Sequence, residues 1–107
     1  MRRTVLSTLT LAALAAVAVA ATPATFRGHQ FAREARLSLA RARVIALKAR
    51  PGIVADQQLD KESGGSGLRY SFDIFAAGKM FEVGVDAKTG KVLENDIESA
   101  AEGEAES

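Results

Sequence analysis

The stretch from Tyr70 to Leu93 alternates apolar and polar residues in two successive runs, and this alternation constrains the fold more than any other feature of the chain. Apolar side chains stand at every second position from Leu68 to Ile74, and again from Phe81 to Val85. Successive side chains of a strand point to opposite faces of a sheet. The pattern therefore predicts two strands that each bury one face.

The two strands are predicted to form an antiparallel hairpin whose loop is Ala76 to Lys79. This loop aligns the two runs so that apolar residues face each other across the strands at every position of the dry face. The predicted pairs are Ile74 with Phe81, Phe72 with Val83, and Tyr70 with Val85.

An apolar stripe at helical spacing precedes the strands. Ser38 is suited to cap the start of a helix, and Pro51 followed by Gly52 ends it. The stripe predicts a helix that packs on the dry face of the sheet, and its members are Leu39, Ala42, Ile45, Ala46 and Ala49. The pattern leaves open whether Phe31 to Leu37 continues this helix or forms a separate segment.

Weaker strand signals lie on both sides of the hairpin. The stretch from Ile53 to Glu62 predicts a polar first strand whose dry face carries Ile53, Ala55 and Leu59. The following glycine-rich segment, Ser63 to Gly67, predicts a flexible turn. A loop of Gly64 to Gly67 would place Leu59 opposite Phe72.

The segment from Asp86 to Lys91 has the chemistry of a tight turn, because the Asp86 carboxylate can accept bonds from the following amides and Gly90 can take a positive φ. It ends the third strand and starts a fourth at Val92. The expected fold class is α+β, with one amphipathic helix packed on a three- or four-stranded antiparallel sheet. Residues 96–107 contain almost nothing to bury and predict an acidic, disordered tail.

Residues 1–21 have the features of a secretory signal peptide. Arg2 and Arg3 are followed by an uncharged run from Val5 to Ala21 that ends in small residues, which predicts cleavage between Ala20 and Ala24. An uncleaved membrane anchor is the alternative, and it is less favoured because the run is short for a span and rich in alanine. We therefore expect an exported protein that is periplasmic or secreted.

The remainder is long enough for one domain, which we place at 38–95 after an N-terminal lead-in at 22–37. The chain has no cysteine, which excludes disulfides and thiolate metal sites. Stability must therefore come from one modest core. Charge is distributed unevenly: Arg27 to Arg50 is basic apart from Glu34, whereas Glu94 to Ser107 is acidic throughout.

The ordered combination of these features resembles the PepSY domain. It comprises a Ser-capped helix ending in LKARPG, a polar strand, a glycine-rich turn, and the run RYSFDIFAAGKMFEVGVDAKTGKVLE, and it covers Ser38 to Glu94. The resemblance implies an α+β module of the kind found in propeptides of thermolysin-like metallopeptidases and in short exported proteins. It implies a role in restraining or modulating peptidases outside the cytoplasm, and it supplies no catalytic motif. Arg41 and Arg43 depart from the family, which more often carries Gln or an aliphatic residue there.

The predicted hairpin offers one candidate contact with a peptidase. Phe75, Gly78 and Met80 lie on the wet face or at the rim, and the hairpin could occupy a protease cleft or pair with it as an edge strand. The favoured alternative is that Phe75 and Met80 only pair with each other across the hairpin.

A second candidate surface is the basic helix, on which Arg41, Arg43 and Lys48 could contact anionic lipid headgroups or an acidic protein. Together with loose cation binding by the acidic tail, it defines the alternative function, that of an envelope interaction module. Nucleic acid is not an expected partner of an exported, nearly neutral chain. The exposed strand edge leaves the oligomeric state open.

The sequence does not support an enzyme, a cofactor or a dedicated metal site. His29 is the only histidine, and no arrangement in the sequence gives it an acid partner and a nucleophile. The glycine-rich turn lacks the Lys and the following helix of a P-loop. Outward strand positions or turns, where carboxylates are ordinarily solvated, hold Asp56, Asp60, Glu62, Asp73, Glu82 and Asp86.

Overall fold

The computed structural model describes residues 26–98, so the predicted signal peptide and the tail beyond Glu98 lie outside the described residues. Within these residues, four antiparallel strands form one sheet in the order β1-β2-β3-β4, and one α-helix packs on it. The α+β prediction is therefore confirmed. In chain order the elements are a 3₁₀ helix at His29–Glu34, α1 at Leu39–Ala49, β1 at Ile53–Lys61, β2 at Leu68–Ala76, β3 at Lys79–Asp86 and β4 at Val92–Ile97.

The lead-in is a separate segment and does not continue the main helix. Its 3₁₀ helix ends at an extended Ala35, after which the amides of Arg36 and Leu37 donate to the Ala87 carbonyl. Ser38 then caps α1, with its Oγ accepting from the Arg41 amide at 3.1 Å. These two bonds attach the chain to the residue that follows β3, between the 3₁₀ helix and α1.

The core lies between α1 and one face of the sheet. The largest fully buried apolar side chains are Tyr70, Phe72, Leu59, Ile74, Val83 and Val85. From the helix, Leu39, Ala42 and Ala46 pack on this cluster. Burying each large side chain stabilises the fold by about 1.5–3 kcal/mol. Tyr70 is also satisfied at its polar end, because its hydroxyl donates to the Leu37 carbonyl at 2.8 Å.

The central hairpin has the predicted register at all three apolar pairs. Its connection is tighter than predicted, because Ala76 pairs with Lys79 and only Ala77 and Gly78 form the loop. Both loop residues have positive φ, 52° and 75°. This is the geometry of a type I′ turn, whose twist matches that of the flanking strands.

The predicted pairing of Leu59 with Phe72 is wrong, because Leu59 lies opposite Tyr70. Lys61 pairs with Leu68, so the loop comprises residues 62–67. This wider loop is held by a bond from the Glu62 amide to the Gly67 carbonyl. A slip of two residues keeps each side chain on its face, so Leu59 is buried as predicted.

The prediction that Ile53 and Ala55 share the dry face with Leu59 is also wrong. The register shifts between Val54 and Asp56, where Ala55 is an extra residue. Such a β-bulge reverses the parity of one half of a strand. Val54 therefore faces the core opposite Ile74, while Ile53 is 70% exposed on the other face.

The lead-in is fixed to the outer edge of β1. Arg27 forms a parallel bridge with Gln58, and the Leu59 amide donates to the Arg27 carbonyl at 2.9 Å. A Cβ on Gly28 would lie 1.7 Å from the Leu59 carbonyl oxygen, so this close approach requires glycine. At the other edge β4 reaches Ile97, two residues beyond the predicted end of the domain. Within residues 26–98, no helix has the length and apolar character needed to span a membrane.

Candidate interaction surface

The sheet has an outer face that α1 does not cover, and at one end of it three apolar side chains form a row. Ile53 lies directly opposite Phe75, and Phe75 lies directly opposite Met80. We call these three residues the apolar row. Phe75 is 46% exposed and Ile53 is 70% exposed, while Met80 is half-buried. The row therefore presents apolar area to solvent beside the hairpin tip.

The next row of the outer face consists of four carboxylates, one from each strand. Asp56 faces Asp73, Asp73 faces Glu82, and Glu82 faces Asp96 across neighbouring strands. We call these four residues the carboxylate row. Directly opposite side chains of a sheet are neighbours, and like charges at such positions are destabilising.

The two central members of the carboxylate row have raised pKa values. Burial raises the pKa of Asp73, the nearby Asp56 charge raises it further, and Arg27 lowers it in part. Burial also raises the pKa of Glu82, and the surrounding carboxylates, Glu94 and Asp73 foremost, add to the effect. The centre of the outer face is thus a region where negative charge is unfavourable.

Two arginines form ion pairs near the outer face, and neither of them pairs with the two central members of the carboxylate row. Arg27 pairs with Asp56 at 2.7 Å. Arg69 lies within 3.5 Å of Glu62 and 3.7 Å of Glu94. Among the described residues, neither central carboxylate forms an ion pair.

The hairpin tip places Gly78 beyond the paired part of the sheet. A Cβ added to Gly78 would have no atom within 4 Å, so the tip is open on that side. Both hairpin strands are inner strands of the sheet, with β1 beside β2 and β4 beside β3. The predicted edge-strand pairing by the hairpin is therefore wrong, because its backbone already has partners on both sides.

The helix carries the other predicted contact residues, on the far side of the sheet from the outer face. Arg41 and Lys48 are exposed, whereas Arg43 is half-buried. Arg50 is engaged internally: its guanidinium lies 3.8 Å from the centre of the Phe81 ring, and its Nε donates to Asn95. The structure thus brings the three hairpin residues together and separates them from the helix cations.

Asp86 is not the solvated turn carboxylate that the sequence predicted, because it is only 1% exposed. Its carboxylate accepts from the amide and hydroxyl of Ser66, at 2.6 and 2.8 Å, and from the amides of Lys88 and Thr89, at 2.8 and 3.0 Å. Burial alone would raise the pKa of Asp86, but these hydrogen bonds outweigh it and hold the pKa well below its usual range. Asp86 therefore has a structural role, in which it joins the β1–β2 loop to the β3–β4 turn.

The described residues offer no cluster with metal-binding chemistry. His29 is exposed at the start of the 3₁₀ helix, with its ring edge-on to Phe26 at 6.4 Å. No group of three His, Cys, Asp or Glu side chains within residues 26–98 is arranged to hold a metal ion.

The carboxylate row is a feature of the outer face that reasoning from the sequence did not identify. Two of its four members could be placed together from the sequence, because the predicted hairpin register already aligns Asp73 with Glu82. The positions of Asp56 and Asp96 were not accessible in this way. They depend on the bulge in β1 and on the register of β4.

Comparison with known proteins gives a match to a family model. The family model described as peptidase propeptide and YPEB domain, PepSY, matches residues 36–96, which is more than half of the chain. No curated protein and no solved structure matches significantly.

Proposed function

The chain belongs to the PepSY family, and we propose on this basis that it is a non-enzymatic module that modulates extracytoplasmic peptidases. The family relates it to peptidase propeptides. The finer assignment, inhibition through the hairpin tip, is a proposal that draws its main support from the exposed apolar row.

The apolar row and the hairpin tip have the properties of a surface that can enter the cleft of a peptidase. Phe75 and Ile53 expose large apolar side chains on a face that is otherwise polar. Aromatic and apolar side chains of this kind are frequent anchors in protein interfaces. The two-residue turn at Ala77 and Gly78 makes the tip narrow.

The carboxylate row suggests the chemistry of the partner surface. A partner that places Lys or Arg side chains near Asp73 and Glu82 would relieve the repulsion between them. Long-range attraction between opposite charges also accelerates association at low ionic strength. We therefore expect the target peptidase to carry cationic side chains around an apolar subsite.

The test is a titration of the purified protein into the secreted and envelope peptidases of its host, with residual proteolysis as the readout. A heat-unfolded sample serves as a control, and gel analysis verifies that the domain is not simply consumed as a substrate. Saturable loss of activity with the folded protein alone is the expected result. The absence of any effect across the panel, with the domain intact, would reject the proposal.

Two variants assign the effect to a surface. Phe75→Ser combined with Met80→Ser removes the apolar side chains beside the tip, and at least a tenfold loss of inhibition is expected. Val44→Ser is the matched control, because Val44 is 61% exposed on the helix. If inhibition survives the double substitution but is lost with Val44→Ser, the peptidase contact lies on the helix and not on the hairpin.

Export of the chain, and its location in the periplasm or outside the cell, are part of the same proposal. PepSY domains are typically extracytoplasmic, and the features of residues 1–21 fit this location. The alternative function is an envelope module that binds cations through its acidic tail or anionic surfaces through its basic helix, and the helix supports it with fewer exposed cations than the sequence suggested. Of the three proposed helix cations, Arg41 and Lys48 are exposed and Arg43 is half-buried.

A further inference from the structure

A cavity of about 440 Å³ opens at the β1 edge of the molecule, beside Asp56 at the end of the carboxylate row. Its walls come from three parts of the chain: Phe26 and Arg27 of the lead-in, Arg43 of α1, and the bulged segment of β1 from Val54 to Gln57. The extra residue of the bulge, Ala55, belongs to this lining. The volume is in the range of small-ligand sites.

One residue of the lining, Gln57, has a side-chain acceptor that the fold leaves unused. The Oε1 atom of Gln57 is buried and has no hydrogen-bond partner within the described structure. A buried acceptor without a donor is energetically unfavourable. The last torsion of a Gln side chain is broad, so Oε1 can turn towards a donor in the cavity at little cost.

The cavity also has an excess of positive charge. Arg27 is neutralised by Asp56 at 2.7 Å, whereas the half-buried Arg43 has no ion-pair partner among residues 26–98. A guanidinium in a partly dry site is well suited to a bidentate bond with a carboxylate. Beside these polar groups, Phe26 and Val54 supply apolar surface.

We propose that this cavity binds the C-terminal end of a short peptide. A C-terminal residue combines, within one small unit, a carboxylate for Arg43, a backbone N–H for Gln57 and an apolar side chain for Phe26 and Val54. A simple anion would use only the first of these groups. Peptides that end in a free carboxylate are what peptidases release, so the site would let the module respond to proteolysis. This inference goes beyond the proposed function and depends on Arg43 and Gln57, which the proposed hairpin contact does not use, so either can fail alone.

The experiment is an amide ¹H–¹⁵N NMR titration of the purified protein with the tripeptide acetyl-Ala-Ala-Leu. Saturable shifts are expected at the amides of Phe26 and of Val54 to Gln57. The same peptide with an amidated C-terminus should bind at least tenfold more weakly, because charge-assisted hydrogen bonds contribute about 1.5–3 kcal/mol. Equal binding of the two peptides, or no shifts with either, would overturn the proposal.

Two further controls distinguish specific binding of the peptide from simple attraction of its negative charge. Acetate and inorganic phosphate at matched concentrations should not reproduce the shifts, and if they do, the site binds small anions only and the peptide assignment is wrong. Arg43→Gln should weaken binding about 10–100-fold, whereas Arg41→Gln, the same change two residues away at an exposed position, should alter it less than twofold. Equal losses in both variants would indicate non-specific attraction and refute the site. Thermal unfolding and the unperturbed amide spectrum verify that each variant is folded.

Discussion

The replacement Asp86→Asn tests whether one buried carboxylate holds two loops together. In the native protein Oδ1 accepts from Ser66 Oγ and from the amides of Lys88 and Thr89, while Oδ2 accepts from the Ser66 amide. An Asn side chain keeps an acceptor at only one of these positions. The better orientation retains the three bonds to Oδ1 and turns the new NH₂ group towards the Ser66 amide, where donor faces donor.

The magnitude follows from the bonds that are lost. A hydrogen bond to a charged group contributes about 1.5–3 kcal/mol, and a buried donor without an acceptor costs about 1–3 kcal/mol. Relaxation of the loop offsets part of this sum, so we expect a loss of about 3 kcal/mol in the free energy of unfolding. For a domain of this size such a loss lowers Tm by about 12–24 °C. Urea denaturation and thermal melts at pH 7, both followed by circular dichroism, measure it.

The pH dependence gives an independent check. Because the folded-state pKa of Asp86 is below its unfolded-state value, its contribution is present above about pH 4 and is lost as the pH falls through the folded-state pKa. The stability difference between the native protein and the Asn variant should therefore shrink below pH 4. Asp96→Asn is the matched control, since Asp96 is exposed and its replacement relieves repulsion in the carboxylate row, so it should cause no loss of stability. A loss below 1 kcal/mol for Asp86→Asn, or an equal loss for the control, would refute the reasoning.

Three further substitutions test other contacts. Gly28→Ala places a Cβ 1.7 Å from the Leu59 carbonyl oxygen, so the lead-in should detach and hydrogen exchange of the Leu59 amide should accelerate; unchanged exchange would contradict the close approach. Tyr70→Phe removes the 2.8 Å bond to Leu37 and should cost about 1 kcal/mol in urea denaturation, and a neutral result would mean that the hydroxyl contributes nothing. Glu82→Gln should raise stability at pH 7 by up to about 1 kcal/mol. Because the folded-state pKa of Glu82 is raised, this gain should disappear towards pH 4, and a loss at pH 7 would contradict the repulsion.

The central hairpin and the helix were accessible from the sequence because their signals are local and redundant. The alternation in both strands fixes their register, because a shift of one residue would move every apolar side chain of the shifted strand to the solvent face. Phe72 and Val83 therefore pair as predicted. The helix was defined by an N-cap at Ser38 and a stop at Pro51, which act within one turn of the chain.

The first strand was less accessible because its parity changes inside the strand. A bulge is decided by packing on both sides of it: Val54 and Leu59 can both face the core only if one residue between them is extra. Nothing in a polar run such as ADQQ marks that residue. The burial of Asp86 was missed for a related reason, since Ser66, its main partner, lies 20 residues away.

Asp86 and Glu82 differ in what their charges do: the charge of Asp86 supports the fold, whereas the charge of Glu82 is suited to binding a partner. Asp86 is fully hydrogen-bonded, so its removal should weaken the fold and whatever depends on the fold. Glu82 has the opposite character: its charge is unfavourable in the free protein and becomes favourable only when a cationic group approaches the carboxylate row. Glu82→Gln should therefore stabilise the protein and weaken a partner that docks on the outer face, and salt should weaken that partner in the same way. Opposite effects on stability and on binding are not expected of a residue whose only role is to support the sheet.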